Sequence, residues 1–298
     1  MWFLSNKVLV WESGMLEGFR DCHCHLLPGV DDGVQKMSES LEILEEWESL
    51  GVKEVWLTPH IMEDIPNTPE DLHAKFMDFT AHYTGPLKLH LAAEHMMDGL
   101  FLKRLNSQDP SSKFQVSGFD SQVSGSKFQV PTLNSQVSGS KFQVPTLNSQ
   151  VSIFNSQLSG SNSQLSTLNF QLSIFNSQLL IETSYYTPPM NMGDIIEKVK
   201  SKGYEPLLAH PERYQYMDQR DYRRWKDLGV LFQMNLPSLV GAYGPEVLRK
   251  AEWLLKENMY DYCGTDTHSI VQMDRFLNSV INKKTVKKVK QIIDKQEL

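Results

Sequence analysis

Residues 21–33, DCHCHLLPGVDDG, place two histidines at the end of an apolar stretch and two aspartates in the turn that follows. Apolar residues alternate along residues 18–27, GFRDCHCHLL, which predicts a β-strand. Side chains two positions apart on a strand face the same way. We therefore expect His23 and His25 to point to one side of this strand and the two neighbouring cysteines to the other. Alone, a His-x-His pair is weak evidence for a site.

Outside residues 102–178, predicted strands and amphipathic helices alternate along the whole chain. The predicted strands are residues 18–27, 52–60, 87–95, 177–184, 204–212, 230–237 and 259–268, and a closing helix covers residues 281–298. Seven such alternations indicate a parallel α/β architecture, and an approximate barrel fits the count. A doubly wound open sheet is the alternative, because one sequence does not reveal the order of the strands.

Residues 102–178 consist of eleven consecutive seven-residue blocks, each ending in Gln. The blocks are rich in Ser, Gly, Pro, Asn and Thr, which disfavour a coiled coil despite the period of seven. Such a composition predicts a polar, disordered, low-complexity insertion. We therefore divide the chain into an N-terminal tail, residues 1–18, and a single domain, residues 19–298, which the insertion interrupts.

Composition excludes several classes of function. The formal net charge of −7 argues against binding to nucleic acid, which needs a positive footprint. No run of 18 apolar residues is present, so we expect no integral membrane segment. Three cysteines, an odd number, indicate a reducing cytoplasm. The oligomeric state stays open.

Six of the predicted strands end in groups that bind hard or borderline divalent metals. The candidates, including one of the two aspartates in the turn after the first strand, are His23, His25, Asp31 or Asp32, His60, Glu94, Glu182, His210, Asp266 and His268. Each alone has a plainer explanation as a solvated or capping group. Together they match a barrel active site, where loops converge at the carboxyl ends of the strands. We assign no role to His73, His82 and His90, and we leave His95 out because it is adjacent to Glu94 and should face away.

Six motifs carry a family resemblance: DCHCHLLPGVDDG, LTPH, AAEHM, LLIETSYYTPP, LLAHPERY and GTDTH. They resemble the PHP (polymerase and histidinol phosphatase) superfamily, in particular the manganese-dependent tyrosine-protein phosphatases of capsule and exopolysaccharide operons, the CpsB/CapC-like group. The resemblance covers residues 19–101 and 179–270. It implies a distorted (β/α)7 TIM-like barrel, the PHP fold, with three divalent metal ions. The family favours Mn²⁺, while imidazole and carboxylate ligands also suit Fe and Zn²⁺.

The resemblance also implies a role for each candidate. One metal would take His23, His25, Glu94 and Asp266; a second would share Glu94 and add Glu182 and His210; a third would take Asp32, His60 and His268. We choose Asp32 over Asp31 because the family ligand is the second Asp of DDG. Arg213 resembles the phosphate-binding arginine of the family, and Arg275 stands nearest to the position of a second one.

The implied function is a metal-dependent protein-tyrosine phosphatase, acting on the tail of a tyrosine kinase of polysaccharide biosynthesis. In this reaction a metal-activated hydroxide attacks phosphorus. The chain has no Cys-x5-Arg loop, which excludes a cysteine-nucleophile phosphatase. Two alternatives stay open: a small-molecule phosphomonoesterase similar to histidinol phosphatase, and a non-catalytic protein disabled by the insertion.

Overall fold

A computed structural model describes residues 6–107 and 177–296. Within them the strands are β1 (Lys7–Leu9), β2 (Arg20–Cys24), β3 (Glu54–Leu57), β4 (His60–Ile61), β5 (Lys88–Leu91), β6 (Glu94–Met96), β7 (Gln178–Glu182), β8 (Glu205–Ala209), β9 (Leu231–Asn235), β10 (Tyr262–Gly264) and β11 (Val280–Asn282). The helices are α1 (Met37–Ser49), α2 (Pro69–His82), α3 (Phe101–Ser107), α4 (Met192–Ser201), α5 (Gln219–Asp227), α6 (Pro245–Lys256), α7 (Ile270–Leu277) and α8 (Lys283–Lys295). Short 3₁₀ turns cover Pro211–Arg213 and Leu236–Val240.

The strands form two parallel sheets and one antiparallel pair. The larger sheet has the order β10-β9-β8-β7-β6-β4, and the smaller has the order β2-β3-β5. Every pairing in these two sheets is parallel. The predicted α/β class with parallel strands is therefore confirmed, and the carboxyl ends of neighbouring strands lie at one edge.

Backbone hydrogen bonds connect the two sheets on both sides. On one side, Cys24 forms a parallel bridge with Thr267, and the His25 amide donates to the Thr267 carbonyl at 2.9 Å. On the other side, the predicted strands 52–60 and 87–95 are each interrupted, giving β3 with β4 and β5 with β6. The pairing continues through this interruption, because the Ala92 amide donates to the Leu57 carbonyl at 2.9 Å and the Glu94 amide of β6 donates to the Pro59 carbonyl at 3.1 Å.

The two cysteines of the first motif do not share one side of β2. Cys22 packs in a small cluster with Leu180 and Leu207, whereas Cys24 packs in the main core. The register between β2 and β3 shifts between Asp21 and Cys24, and such an irregularity breaks the alternation of side chains. The expectation that both cysteines face away from the histidines is therefore wrong.

The predicted N-terminal tail packs against the body of the protein from residue 7 onward. β1 pairs antiparallel with β11, placing Lys7 opposite Asn282. Met15 and Leu16 are buried, and burial of their apolar surface stabilises this contact. The predicted insertion, residues 102–178, begins inside α3 and ends at the first residue of β7, and residues 108–176 lie outside the described residues. None of the described helices has the length and apolar character needed to cross a bilayer.

Candidate metal centre

The two histidines of the first motif lie side by side at the carboxyl end of β2. Both are fully buried, and their Nε2 atoms are 3.1 Å apart. The His23 ring contacts Gln233 through Nδ1, and the His25 ring contacts Asp31 through Nδ1. Because each Nδ1 is engaged behind the ring, both Nε2 atoms face the same space.

Glu94, the first residue of β6, occupies the centre of this space and is 1% exposed. Four imidazole nitrogens surround its carboxylate. Its Oε2 lies 3.3 Å from His23 Nε2, 3.3 Å from His25 Nε2 and 3.2 Å from His60 Nδ1, and its Oε1 lies 3.2 Å from His210 Nε2.

Two further carboxylates flank Glu94. Asp266 follows β10, and its Oδ1 lies 3.4 Å from His23 Nε2 and 3.5 Å from His25 Nε2. Glu182 ends β7, and its Oε1 lies 3.4 Å from His210 Nε2. Both carboxylates are almost fully buried, so they share a water-poor space with the imidazoles.

The remaining predicted ligands lie at the solvent side. Asp32 Oδ1 is 3.4 Å from His60 Nε2 and 3.7 Å from His268 Nε2, and its side chain is 65% exposed. Asp31 instead is buried: its Oδ2 accepts from the His60 backbone amide at 2.9 Å and contacts His25 Nδ1 at 2.8 Å. The two adjacent aspartates thus differ, since Asp32 faces the imidazoles of the open side and Asp31 orients the ring of His25.

Three sets of ligand atoms each lie within 4.8 Å of one another. They are His25, Asp32, His60 and His268; His23, His25 and Glu94; and His60, Glu94 and Glu182. His210 and Asp266 contact members of these sets at the distances given above. All nine residues predicted from the strand ends are therefore brought together.

The pKa values of the buried ligand groups reflect how many charged groups lie close together in the cluster. Burial opposes protonation of His23, but the Glu94 and Asp266 carboxylates raise its pKa to about 9. Burial and the charge of Glu94 raise the pKa of Glu182 to about 8. Burial and the charge of Arg213 lower the pKa of His210 to about 4. Several buried carboxylates and imidazoles can lie this close together at low free-energy cost only when opposite charges balance them.

The donor set fits divalent cations. Both carboxylate oxygens of Glu94, together with Nδ1 of His60 and of His210, are buried and make no hydrogen bond of good geometry among the described residues, although imidazole nitrogens lie 3.2–3.3 Å from the Glu94 oxygens. Buried polar atoms are normally satisfied, so the Glu94 oxygens and His60 Nδ1, which lie together in the cluster, fit a site that takes a cation. Imidazole and carboxylate donors without thiolate suit Mn²⁺, Fe or Zn²⁺.

Arg213 lies at the rim of the cluster. Its Nη1 contacts Asp266 Oδ2 at 2.6 Å, and its guanidinium stacks between the rings of Tyr185 and Tyr243, at 4.5 Å and 4.3 Å from their centroids. The Tyr185 hydroxyl donates to Glu182 Oε1 at 2.6 Å. The sequence motif YYTPP points to Tyr185, whereas no sequence signal points to Tyr243.

Arg275 is not part of this arrangement. It lies on α7 with an exposed side chain, and no contact joins it to the cluster in the part of the chain that the structure describes. The histidines without a predicted role also lie elsewhere: His82 contacts the Asp78 carbonyl, and His90 stacks on Trp56. His95 is buried, and burial together with the charge of Arg104 lowers its pKa to about 4.

A family model and two relatives match this chain, and their names refer to capsule synthesis or to tyrosine-protein phosphatases. The family model described as "Capsular polysaccharide synthesis, CpsB/CapC" matches residues 19–111 and 157–295. The Staphylococcus aureus protein named "Putative tyrosine-protein phosphatase CapC" is 23% identical over 90% of this chain and 84% of its own length. The Bacillus subtilis (strain 168) protein named "Tyrosine-protein phosphatase YwqE" is 20% identical over 84% of this chain and 77% of its own length.

A solved structure is similar over most of the chain. It is described as "Crystal structures of YwqE from Bacillus subtilis and CpsB from Streptococcus pneumoniae, unique metal-dependent tyrosine phosphatases". The TM-score is 0.60 at 18% identity, covering 93% of this chain and 88% of that chain. This likeness shows a shared fold.

Proposed function

The chain belongs to the capsular polysaccharide synthesis family CpsB/CapC, and from that premise we propose that it is a metal-dependent protein-tyrosine phosphatase. The reaction is hydrolysis of a phosphoric monoester, the phosphotyrosine of a protein substrate. Two relatives are named as tyrosine-protein phosphatases, which supports the reaction class.

One observation carries this proposal: the nine candidate ligand groups, with Glu94 among them, lie in one cluster, and Arg213 lies beside it. A phosphomonoester dianion needs positive charge around it. This acidic chain, with a net charge of −7, can concentrate positive charge by holding divalent cations and an arginine in one place.

We propose that the centre holds three divalent cations, with Mn²⁺ favoured and Fe or Zn²⁺ as alternatives. The residues that would hold them are His23, His25, Asp32, His60, Glu94, Glu182, His210, Asp266 and His268. When bound, such cations supply Lewis acidity toward phosphoryl oxygens and lower the pKa of water.

The chain itself orients the substrate phosphate through Arg213. Its planar guanidinium can donate two hydrogen bonds to one phosphoryl group. The rings of Tyr185 and Tyr243 contact the guanidinium, with its carbon 4.5 Å and 4.3 Å from their centroids, and these contacts restrict its orientation. Asp266 Oδ2 accepts from Arg213 and from Asn235 Nδ2, at 2.6 and 3.0 Å. With Oδ2 held in this way, Asp266 Oδ1 faces the imidazoles of His23 and His25.

We propose a distorted (β/α)7 barrel of the PHP type as the complete fold. Counting β3 with β4 and β5 with β6 as interrupted strands gives seven parallel positions, and the bonds through Cys24 and Ala92 support their joining. Residues 19–298 would form the single domain. The family model leaves residues 112–156 unmatched, which supports treating the repeat as an insertion.

The proposed partner is a phosphotyrosyl protein, the tail of a tyrosine kinase of polysaccharide biosynthesis. We propose the cytoplasm as the compartment, since Cys22, Cys24 and Cys263 are all free thiols.

The test compares a phosphotyrosyl peptide, a phosphoseryl peptide and histidinol phosphate as substrates of the Mn²⁺-loaded protein. We expect hydrolysis of the first to dominate. Glu182→Ala and His210→Ala should each abolish activity and lower the metal content, whereas His82→Ala, an exposed control, should change neither. Preferred hydrolysis of histidinol phosphate, or wild-type turnover in the Glu182 or His210 variant, would refute the proposal.

A further inference from the structure

Gln233, in the middle of β9, is completely buried and makes three polar contacts. Its Oε1 lies 3.0 Å from His23 Nδ1 and 3.2 Å from the backbone nitrogen of His210. Its Nε2 donates to the Met234 carbonyl at 2.6 Å. One amide oxygen thus contacts residues from two different strand ends of the metal centre.

These partners determine which way the amide of Gln233 points. The backbone nitrogen of His210 can only donate, so the atom that faces it must be an oxygen. The carbonyl of Met234 can only accept, so the atom that faces it must be the NH₂ group. The contact of Oε1 with His23 therefore requires a proton on His23 Nδ1. In the neutral imidazole that binds a cation, this leaves the Nε2 lone pair directed toward Glu94 and Asp266.

The second contact of Oε1 supports the turn that aims His210. The backbone of His210 has φ = 32° and ψ = 56°, a left-handed conformation that residues other than glycine rarely adopt. The hydrogen bond from its amide to Gln233 helps hold this turn, and the turn brings His210 Nε2 to Glu94 and Glu182. Local strain of this kind persists where surrounding contacts determine the backbone.

The neighbouring strand leaves space for the Gln233 side chain. A Cβ added to Gly264 of β10 would lie 2.6 Å from His23 Cβ and 2.7 Å from Gln233 Nε2. The absence of a side chain at residue 264 therefore allows the contact between His23 and Gln233.

We propose that Gln233 is a positioning residue that sets the tautomer of His23 and the turn of His210 with a single oxygen. It thereby couples the ligands of two metal positions, one containing His23 and one containing His210. This inference rests on the proposed metal centre but not on the identity of the substrate. Gln233 itself touches neither substrate nor the reacting atoms.

The experiment titrates metal-free protein with Mn²⁺ by calorimetry and compares wild type, Gln233→Leu and Gln233→Glu. Loss of a partner that orients a ligand histidine typically weakens metal binding roughly 10- to 100-fold, and we expect this for Q233L. Gln178→Leu is the matched control, a buried glutamine of β7 that contacts Glu205 and no residue of the cluster, and it should bind as wild type does. The Q233E variant keeps the acceptor oxygen for His23 and His210 but places its second oxygen against the Met234 carbonyl, so it should bind Mn²⁺ more tightly than Q233L and less tightly than wild type.

A second readout reports the tautomer directly. In Zn²⁺-loaded protein, long-range ¹H–¹⁵N spectra should show a proton on Nδ1 of His23 in wild type and in Q233E. Wild-type Mn²⁺ affinity in Q233L, or a proton on Nε2 of His23 in wild type, would overturn the inference. If Q233L fails to fold, the comparison uses Q233E instead. Loss of Mn²⁺ binding in Q233E as complete as the loss in His23→Ala would overturn the inference. A wild-type protein that binds Mn²⁺ without hydrolysing phosphotyrosine would refute the proposed function and leave the role of Gln233 standing.

Discussion

Gly264→Ala adds one methyl group at the point where β10 packs against His23 and Gln233. The new Cβ would lie 2.6 Å from His23 Cβ, 3.1 Å from the His23 backbone nitrogen and 2.7 Å from Gln233 Nε2. To restore an ordinary contact of about 3.4 Å, the β-carbon of His23 must move by about 0.8 Å. β2 has little freedom to move at His23, because it is a paired parallel strand. In addition, the His23 carbonyl accepts a hydrogen bond from the Asp266 amide at 2.7 Å.

Misplacement of a catalytic group by about 1 Å costs on the order of a hundredfold in rate, or about 2.7 kcal/mol in the activation free energy. We therefore expect G264A to lower kcat/KM on a phosphotyrosyl peptide about a hundredfold. Overpacking of a buried site also lowers the free energy of unfolding by roughly 1–3 kcal/mol. Steady-state kinetics with excess Mn²⁺ and thermal unfolding followed by circular dichroism would measure both effects.

The matched control is Gly193→Ala at the start of α4. There the added Cβ would meet only Arg224 Nη2, at 3.9 Å, so both kcat/KM and the melting temperature should stay close to wild type. If G264A folds and its kcat/KM remains within twofold of wild type, the reasoning from close packing at His23 is wrong.

Three further predictions concern the arginine, the metal and the insertion. Arg213→Lys loses the planar guanidinium, so kcat should fall roughly 100-fold or more with unchanged metal content; an unchanged kcat would contradict the phosphate role. Mn²⁺ at 100 times its Kd should raise the free energy of unfolding of chelator-stripped protein by about 2.7 kcal/mol, and denaturant titration showing no increase would argue against a folded-state site. Deletion of residues 109–171, which contain none of the candidate ligands, should preserve kcat/KM, because closure cost depends only weakly on loop length; a soluble, folded but inactive deletion would refute this.

Much of the centre could be predicted from the sequence because it depends on local periodicity and parallel strands. The imidazoles of His23 and His25 stand at the end of β2 and the carboxylate of Glu182 at the end of β7, and parallel pairing brings such ends to one edge. The sequence predicts Glu94 at the end of its strand, but Glu94 begins β6 after the interruption of the predicted strand. The start of α2 was equally predictable. Thr68 Oγ1 accepts from the Asp71 amide at 3.2 Å, and Pro69 occupies the first helical position.

Other features depend on contacts between residues far apart in the sequence. His210 and Asp266 adopt left-handed backbones, at φ = 32° and φ = 52°, which no local sequence signal marks for these residue types. The ring of Tyr243 reaches Arg213 from a different loop. The pairing of β1 with β11 was missed for the same reason, since the partner of Lys7 is Asn282.

The pairing of β1 with β11 also has a consequence for how the protein is made. Asn282, the partner of Lys7, leaves the ribosome only after the repeat and the strands that follow it have been synthesised, and Asp266 and His268 emerge shortly before it. While the repeat is translated, the candidate ligands of β2 and β6 therefore lack four partners: Glu182, His210, Asp266 and His268. The proposed metal centre can be completed only late in the life of the nascent chain, and a ribosome that stalls within the repeat leaves a product with five of the nine candidate ligands.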